Sequence, residues 1–574
     1  MASPYESDLT ALFTDPLLTQ AEPAADRSLL ASPYLGLRRL QSRLGDRQPL
    51  LTDHARLRTL LELSAVTDPR LFFAMFLHHC VALGPALDHG ACDADVAALV
   101  SGRLIGAALM NELGHGNSSS RIHTEAVYDQ ATREFVLNTP IPEAVKHPAN
   151  VGLDGIARLG VVSARLLVGG IDRGTALFLV ALRDENGPCP GVTIEPRPRT
   201  ALLPMDFAAV RFDRVRVPYR RWLRDGAFIA DDGSFHDPLD GPDARSRRSV
   251  GMSRFAWGAV TAGLAAVARS SVAIALTHAR RRKTLDRLAG ELAAIGHLNQ
   301  QRLLFGALAA ALAATVVARR ATDRCWHIPP GGGQGTGPSA SVMHELALSK
   351  VTTSVLADAA VTRCRSACGA AGFFSENRLI GYQALTMAFQ PGGGDNRLTV
   401  LDAAWAIASG PDYLPPDNEA APDDWARLFR GRERLLHAEL TAGLRAAGAV
   451  SFDDWNGRTE LAQRLAEAHA ARTTAEALHD EWHAPTVPEA SRPLLGDLYE
   501  LHCLEQAAAD AGWYLAHGLL TAAEVLALPE RTNEICQRLV QHTDALIQLL
   551  EIPEELLRSQ LSADGFLHGL TPVR

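Results

Sequence analysis

The chain has 574 residues, 47% of them hydrophobic and 21% charged, with a formal net charge of -9. That length accommodates roughly three to four domains at about 150 residues each. The composition is ordinary for a soluble globular protein, and the negative balance argues against a nucleic-acid partner, which calls for a basic face.

Residues 1–100 read as helices: Leu57–Leu63 and Arg70–Leu83 carry apolar residues at three- and four-residue spacing, with Phe72, Phe73 and Phe76 as core. The period then falls to two. Seven strands are predicted at Arg103–Leu109, Ile122–Asp129, Glu134–Asn138, Leu159–Leu167, Ala176–Leu182, Val192–Pro196 and Ala209–Pro218, an antiparallel barrel or sandwich. Between the first two lies the polar, Gly-containing stretch Asn111–Ser120. Asp231–Ser249 reads as a surface linker. Long helices follow at Arg254–Arg282, Gly290–Arg320 and Ser341–Ala367. The last two are separated by His327–Ser341, whose GGGQGTG lacks the strand and the Lys-Ser/Thr pair of a phosphate loop. After Cys368–Asn396 come a helix at Leu398–Ser409, a Pro-rich break at Gly410–Asp424, and a C-terminal bundle. The expected domains are 1–102 (helical), 103–230 (β), 245–410 (central helical bundle) and 425–574 (C-terminal helical).

The apolar runs Phe255–Ala268 and Leu303–Ala318 fall short of the ~20 residues of a membrane span and read as buried helices. The N-terminus has no signal-peptide pattern and the C-terminus no peroxisomal tripeptide. Cys364 and Cys368, four apart, read as a reduced buried pair, since no His or Cys follows at metal-ligand spacing; no metal site is expected. His78-His79 reads as a satisfied core or edge pair. These features point to the cytoplasm.

Several motifs then agree in order. Asn111-Glu112-Leu113-Gly114-His115-Gly116 is followed by Tyr128-Asp129 and Glu134-Phe135-Val136-Leu137-Asn138, and by Phe212-Asp213-Arg214-Val215-Arg216-Val217-Pro218. Then come Arg281-Arg282-Lys283, Asn299-Gln300-Gln301 and Cys368-Gly369-Ala370-Ala371-Gly372-Phe373. This ordered set resembles the acyl-CoA oxidases, the larger branch of the acyl-CoA dehydrogenase superfamily. The segments are similar, in turn, to that family's TExGHG loop, its YDxxTxEFVLN strand pair, the exit from its β-domain, the helix end whose Arg meets the FAD pyrophosphate, its TQQ, and its CGGHGY turn.

The resemblance implies a mainly α, α+β fold: helical bundle, central antiparallel β-domain, helical bundle, extra C-terminal helical domain. It implies FAD held by Met110, Asn111, Gly114, Gly116, Arg282, Gln300, Gly369, Ala370, Gly394 and Asn396. It implies a homodimer, with an acyl thioester of CoA or of a carrier protein as substrate and O2 as acceptor.

One position departs from the pattern. The family's segment after CGGHGY ends in F-E-G-E-N, and its first Glu removes the α-proton of the thioester. Counted without a gap, that Glu falls on Gly393, followed by Gly394, Asp395 and Asn396. A glycine cannot take a proton, although its N–H can still meet a thioester oxygen as an oxyanion contact. Three readings follow. The enzyme desaturates acyl thioesters with a relocated base, for which Asp395 and Glu376 are the nearest candidates in sequence. Or the substrate needs no base, as in a decarboxylating oxidase, an epoxidase or a flavin monooxygenase of a bacterial-type biosynthetic pathway. Or the chain is a non-catalytic partner.

Overall fold

Runs of aliphatic and β-branched residues between Ile105 and Leu223 fold into two sheets. The computed structural model describes residues 7–14, 26–44, 50–117, 121–328, 337–410, 413–448, 450–557 and 559–562. The strands of these two sheets are β1 (Ile105–Leu109), β2 (Glu125–Asp129), β3 (Glu134–Asn138), β4 (Lys146–Asn150), β5 (Arg158–Val168), β6 (Ile171–Arg183), β7 (Val192–Pro196), β8 (Phe207–Phe212), β9 (Val215–Pro218) and β10 (Trp222–Leu223). One sheet runs β10-β6-β5-β2-β3-β9, with β1 also on β5; the other runs β4-β8-β7. Leu159–Ala164 of β5 are all buried, so this strand is apolar on both faces instead of alternating. Phe135 meets Phe178 and Trp222 edge-on at 5.1 and 5.4 Å and centres the core between the sheets.

The β region is as expected in place and the sheets are largely antiparallel, but β5 pairs in parallel with both β1 and β2. The run Ala209–Pro218 is two strands in different sheets, β8 and β9, because the chain turns at Arg214 (φ 51°). β4 was not foreseen. Pro148 breaks its alternation, and a proline is tolerated there because β4 is an edge strand.

The chain divides into two compact units. One comprises Ser7–Val260 with Asp323–Met343; the other comprises Thr261–Thr322 with His344–Arg574. The first, the β-unit, also contains helices at His54–Thr67 and Pro69–Met75, running on through a π-helical turn at Phe76–Leu83. Pro69 starts its helix where the missing N–H costs nothing, behind the cap of Asp68. Within this turn the two histidines differ. His78 is satisfied by Gly106 N (2.8 Å), Gln41 and Leu99 O, whereas neither ring nitrogen of buried His79 has a partner among the described residues.

The supposed surface linker is corrected by the structure. Gly241–Val250 is a helix, and its Arg245, Ser246, Arg248 and Ser249 are buried. Charge made it look like a loop; buried partners make it a helix. Arg248 reaches Asp88 (2.7 Å) and Asp225 (2.9 Å), Arg245 reaches Asp225 and Asp237, and Arg254 donates to Asp88 (3.0 Å).

The second, helical unit includes the helix Ala340–Ala367 from His344 onward and the helices Leu379–Ala388, Asn396–Ser409, Asp424–Ala447, Thr459–His483, Arg492–Ala509 and Ala522–Leu539. Residues 290–297, expected as helix, instead complete a hairpin of Lys283–Asp286 with Gly290–Ala293, followed by a short 3-10 turn. Asp286 Oδ1 accepts from Leu288 N (2.7 Å) and Ala289 N (2.9 Å) and Gly290 adopts φ 73°, a turn that overrides the helical composition.

The two apolar runs belong to longer helices, Ser253–Arg281 and Leu298–Trp326, of 29 residues each. Together with Pro69–Asp88, these stretches are long and apolar enough to cross a membrane by length and composition. Their apolar windows are 83 to 100% buried inside the protein. Gly331–Thr336 of the GGGQGTG stretch, Ser118–Ser120 and the C-terminal tripeptide lie outside the described residues.

Candidate active site

The loop after β1 is built on a buried carboxylate. Glu112 is 2% exposed and accepts from His123 N (2.8 Å), Thr124 N (2.7 Å), Thr124 Oγ1 (2.7 Å) and Lys146 Nζ (3.3 Å). Burial alone would raise its pKa, but Lys146 and these donors hold it below the ordinary carboxylate value. Burial outweighs Glu112 in turn at Lys146, whose ammonium is pushed down to about 8. Leu113 N donates to Val145 O, Gly114 N to Glu143 O, and Ser163 Oγ to Met110 O. A Cβ at Gly114 would stand 2.4 Å from Glu143 Cβ, so only glycine permits this approach.

With Glu112 pinned beneath, Asn111 and Gly116 are exposed, Met110 is half-buried, and the space over Gly116 is open. The segment Lys146–Asn150 supplies β4 and the buried Lys146.

In the helical unit, three of the expected residues meet where the helix Ala340–Ala367 ends. Gln300 Nε2 donates to Ala367 O (3.1 Å). Gly369 takes φ 62°, and the Arg282 guanidinium lies 3.4 Å from where its Cβ would be. Arg282 is exposed, and its side chain makes no hydrogen bond or ion pair among the described residues. Ala370 is exposed beside it. An unpartnered guanidinium at a left-handed glycine turn fits a phosphate-type anion. Cys364 and Cys368, on the buried side of this turn, are free thiols. Burial raises both, Cys368 to about 12.

The third element is the loop from Pro391 to Asn396. Gly393 and Gly394 are exposed, with φ 71° and 97°. Only Lys350 Cε, at 3.8 Å, comes within 4 Å of a Cβ built on Gly393. Asp395 caps the helix Asn396–Ser409, its Oδ1 accepting from Arg397 N at 2.9 Å, so this carboxylate is already engaged. Glu376 is exposed on the short turn Ser375–Asn377, and no hydrogen bond or ion pair ties it to the 391–396 loop.

The residue missed in the sequence is Lys350. It is 1% exposed, and its Nζ donates to Gly394 O (2.7 Å) and Asn396 Oδ1 (2.9 Å); Asn396 Nδ2 donates on to Ser354 Oγ (2.9 Å). Burial pushes its ammonium down to about 7, against the opposing pull of Asp395. The available signal was a single cation on the apolar face formed by Leu346, Ala347 and Val351.

Helices flanking a two-sheet β region, a loop anchored by a buried glutamate, and a cationic glycine turn define an acyl-thioester oxidoreductase of the acyl-CoA dehydrogenase and oxidase type. The profile described as "Acyl-CoA oxidase, C-alpha1 domain" matches residues 257–407, and that described as "Acyl-CoA oxidase" matches residues 427–566. The chain belongs to the acyl-CoA oxidase family. It is 28% identical over 503 residues to the peroxisomal acyl-coenzyme A oxidase 1 of Mus musculus, covering 80% of this chain and 74% of that one. It is 26% identical over 498 residues to an acyl-coenzyme A oxidase-like protein of the same species, covering 78% and 76%. Among solved structures, acyl-CoA oxidase1 of Yarrowia lipolytica superposes with a TM-score of 0.80 at 20% identity, over 98% of this chain and 86% of that one. Acyl-CoA oxidase-2 of Caenorhabditis elegans, bound with FAD, ascaroside-CoA and ATP, gives a TM-score of 0.82 at 20% identity over 97% and 87%. These likenesses show the fold.

Proposed function

We propose that this chain is an FAD-dependent acyl-CoA oxidoreductase whose reaction does not pass through a carboxylate at position 393. Membership of the acyl-CoA oxidase family makes it a flavin-dependent oxidoreductase acting on acyl-CoA. When bound, FAD accepts the hydride equivalent from the acyl chain. The chain's own residues supply the holding groups. Arg282 offers its guanidinium to the pyrophosphate beside Gly369 and Ala370, with Gln300 on the same helix end. Met110, Asn111, Gly114 and Gly116 present backbone and a short polar side chain on the Glu112 anchor.

The observation that carries the finer reading is Gly393. It has no side chain, the Asp395 carboxylate is taken up as a helix cap, and Glu376 stands free of the loop. A missing positioned base costs ~10²–10⁴ in rate for α-deprotonation. An alkylmalonyl-type thioester avoids that cost: the bond from its α-carbon to the free carboxylate breaks, CO2 leaves, the bonding pair forms the enolate, and the β-carbon still carries a hydrogen for the oxidation. Such a substrate, on CoA or a carrier protein, suits a bacterial-type biosynthetic pathway with O2 as acceptor. A homodimer and a cytoplasmic location complete the proposal; eight free thiols fit a reducing compartment.

Anaerobic titration of the flavin band tests it. Bleaching by an alkylmalonyl thioester with release of CO2, and slow or no bleaching by the saturated acyl-CoA, is the expected result. Fast bleaching by plain acyl-CoA overturns the base-free reading. A purified chain without flavin favours a non-catalytic partner, and label from ¹⁸O2 in the organic product favours a monooxygenase.

A further inference from the structure

We propose that Lys350 is a positioning residue for the reaction, holding the 391–396 loop from beneath and thereby setting the backbone at Gly393. The inference rests on the reading of Gly393 as the place where the thioester meets this chain.

Three consecutive glycines sample far more backbone conformations than other residues, so Gly392–Gly394 needs external restraint to hold one shape. The loop is tied at its ends by Gly392 N to Ala388 O (3.1 Å) and Asn396 N to Gln390 O (3.0 Å). Between these ties, the Gly394 carbonyl is taken by Lys350 Nζ at 2.7 Å, and the same amine takes the Asn396 side-chain oxygen at 2.9 Å. One side chain therefore grips the loop at two points, and Asn396 passes the hold on to Ser354 in the helix Ala340–Ala367, one turn beyond Lys350.

Both partners are neutral oxygens, and neither is a carboxylate. A lysine buried to 1% exposure is a poor device for stability alone, because desolvating the ammonium opposes folding. Its geometry is suited instead to orientation: bonds from a charged donor are short and directional, and they act on the peptide next to Gly393. Gly393 itself is exposed, and Lys350 Cε is the nearest atom to a Cβ built there. The chain has no side chain at 393, and Lys350 is the cation bonded to the backbone beside it.

The test uses the full FAD-loaded chain with Lys350→Met, of similar length, and Lys350→Arg, which keeps the charge. Flavin content and thermal midpoint monitor folding. Hydrogen exchange of the peptide spanning residues 389–399 monitors the loop, and anaerobic stopped-flow bleaching by an alkylmalonyl-CoA monitors the reaction. Lys350→Met is expected to keep full flavin, to speed exchange in that peptide, and to lower the limiting bleaching rate about 10- to 100-fold, the cost of ångström-scale misplacement, with little change in half-saturating concentration. Lys350→Arg recovers part of that rate.

Unchanged exchange in Lys350→Met overturns the proposal, as does faster exchange with an unchanged limiting rate, or a loss of rate that tracks loss of flavin. Should Lys350→Met fold poorly, Ser354→Ala, which removes only the far end of the chain of hydrogen bonds, is expected to move exchange and limiting rate the same way by a smaller factor; no effect on either overturns the proposal. If no thioester bleaches the wild type, the proposed function fails, and the exchange measurement still decides whether Lys350 holds the loop.

Discussion

At Gly393 a side chain is absent in a place that has room for one. The space around a built Cβ is open to 3.8 Å, but φ is 71°, a conformation that costs an L-residue ~1–2 kcal/mol. Gly393→Glu is therefore expected to fold, with a thermal midpoint lowered by a few degrees, and to place a carboxylate within reach of Lys350. It is expected to confer desaturation of plain acyl-CoA, read as new anaerobic bleaching; Gly393→Ala carries the same backbone strain without the carboxylate and confers none. If Glu at 393 leaves the flavin bound yet unresponsive to every acyl-CoA, the thioester slot itself is altered. Position 393 was open to reading in the sequence, as an expectation, because the flanking Cys368–Phe373 and Gly394–Asn396 could be counted without a gap. Lys350 was not, because its role lies in a bond to a carbonyl and leaves no spacing to read.

At the scale of elements, the helix Asp424–Ala447 shows how a buried charge is accommodated. Phe429, Leu436, Leu440 and Leu444 form its buried stripe, and Glu433, 0% exposed, falls within it. Its carboxylate accepts from Tyr413 Oη (2.6 Å) and pairs with His469 Nδ1 (2.8 Å) and with Arg472. Burial works to raise Glu433, but His469 and Arg472 prevail and hold it at about 2. A carboxyl depressed from 4.5 stabilises the fold fully above the unfolded value. That contribution, on the order of 3 kcal/mol, is lost as pH falls from about 4.5 through about 2. Acid unfolding of Glu433→Gln should accordingly be less steep over that window, and at pH 7 the variant should lose about 3 kcal/mol in denaturant titration, Arg472 keeping its pairing with Glu476. A flat comparison of the two acid curves would show that Glu433 is not coupled to folding.

Legibility varied in the same way among elements. The helices Ser253–Arg281, Ala340–Ala367 and Asn396–Ser409 were read close to their ends because their apolar content is continuous. The helix Gly241–Val250 and the hairpin Lys283–Ala293 were not, because buried ion pairs in the first and an aspartate turn in the second decide against local composition.

For the whole molecule, the order of motifs along the chain carried the family, and weak individual matches sufficed because six of them kept their sequence. Neither the parallel pairing of β5 nor the discontinuity of the β-unit had such a signature, since both depend on contacts between distant segments. Removal of FAD is expected to lower the thermal midpoint reversibly, since a ligand that binds only the folded chain stabilises it by mass action; a midpoint independent of added FAD would argue against binding.

That discontinuity bears on how the protein is made. Cys325 Sγ donates to Arg254 O (3.0 Å), and Arg254 donates to Ile328 O (2.7 Å) and to Asp88 (3.0 Å), so residues from three separate parts of the chain close one buried corner. A ribosome delivers the N-terminal segment first, yet the β-unit cannot be finished until 323–343 has also left the exit tunnel. The intervening Thr261–Thr322, two Ala-rich helical stretches joined by the hairpin Lys283–Ala293, emerges while the earlier unit is incomplete. Nascent chains arrested after residue 260 should stay protease-sensitive in the β-unit, and those arrested well past residue 343 should become resistant.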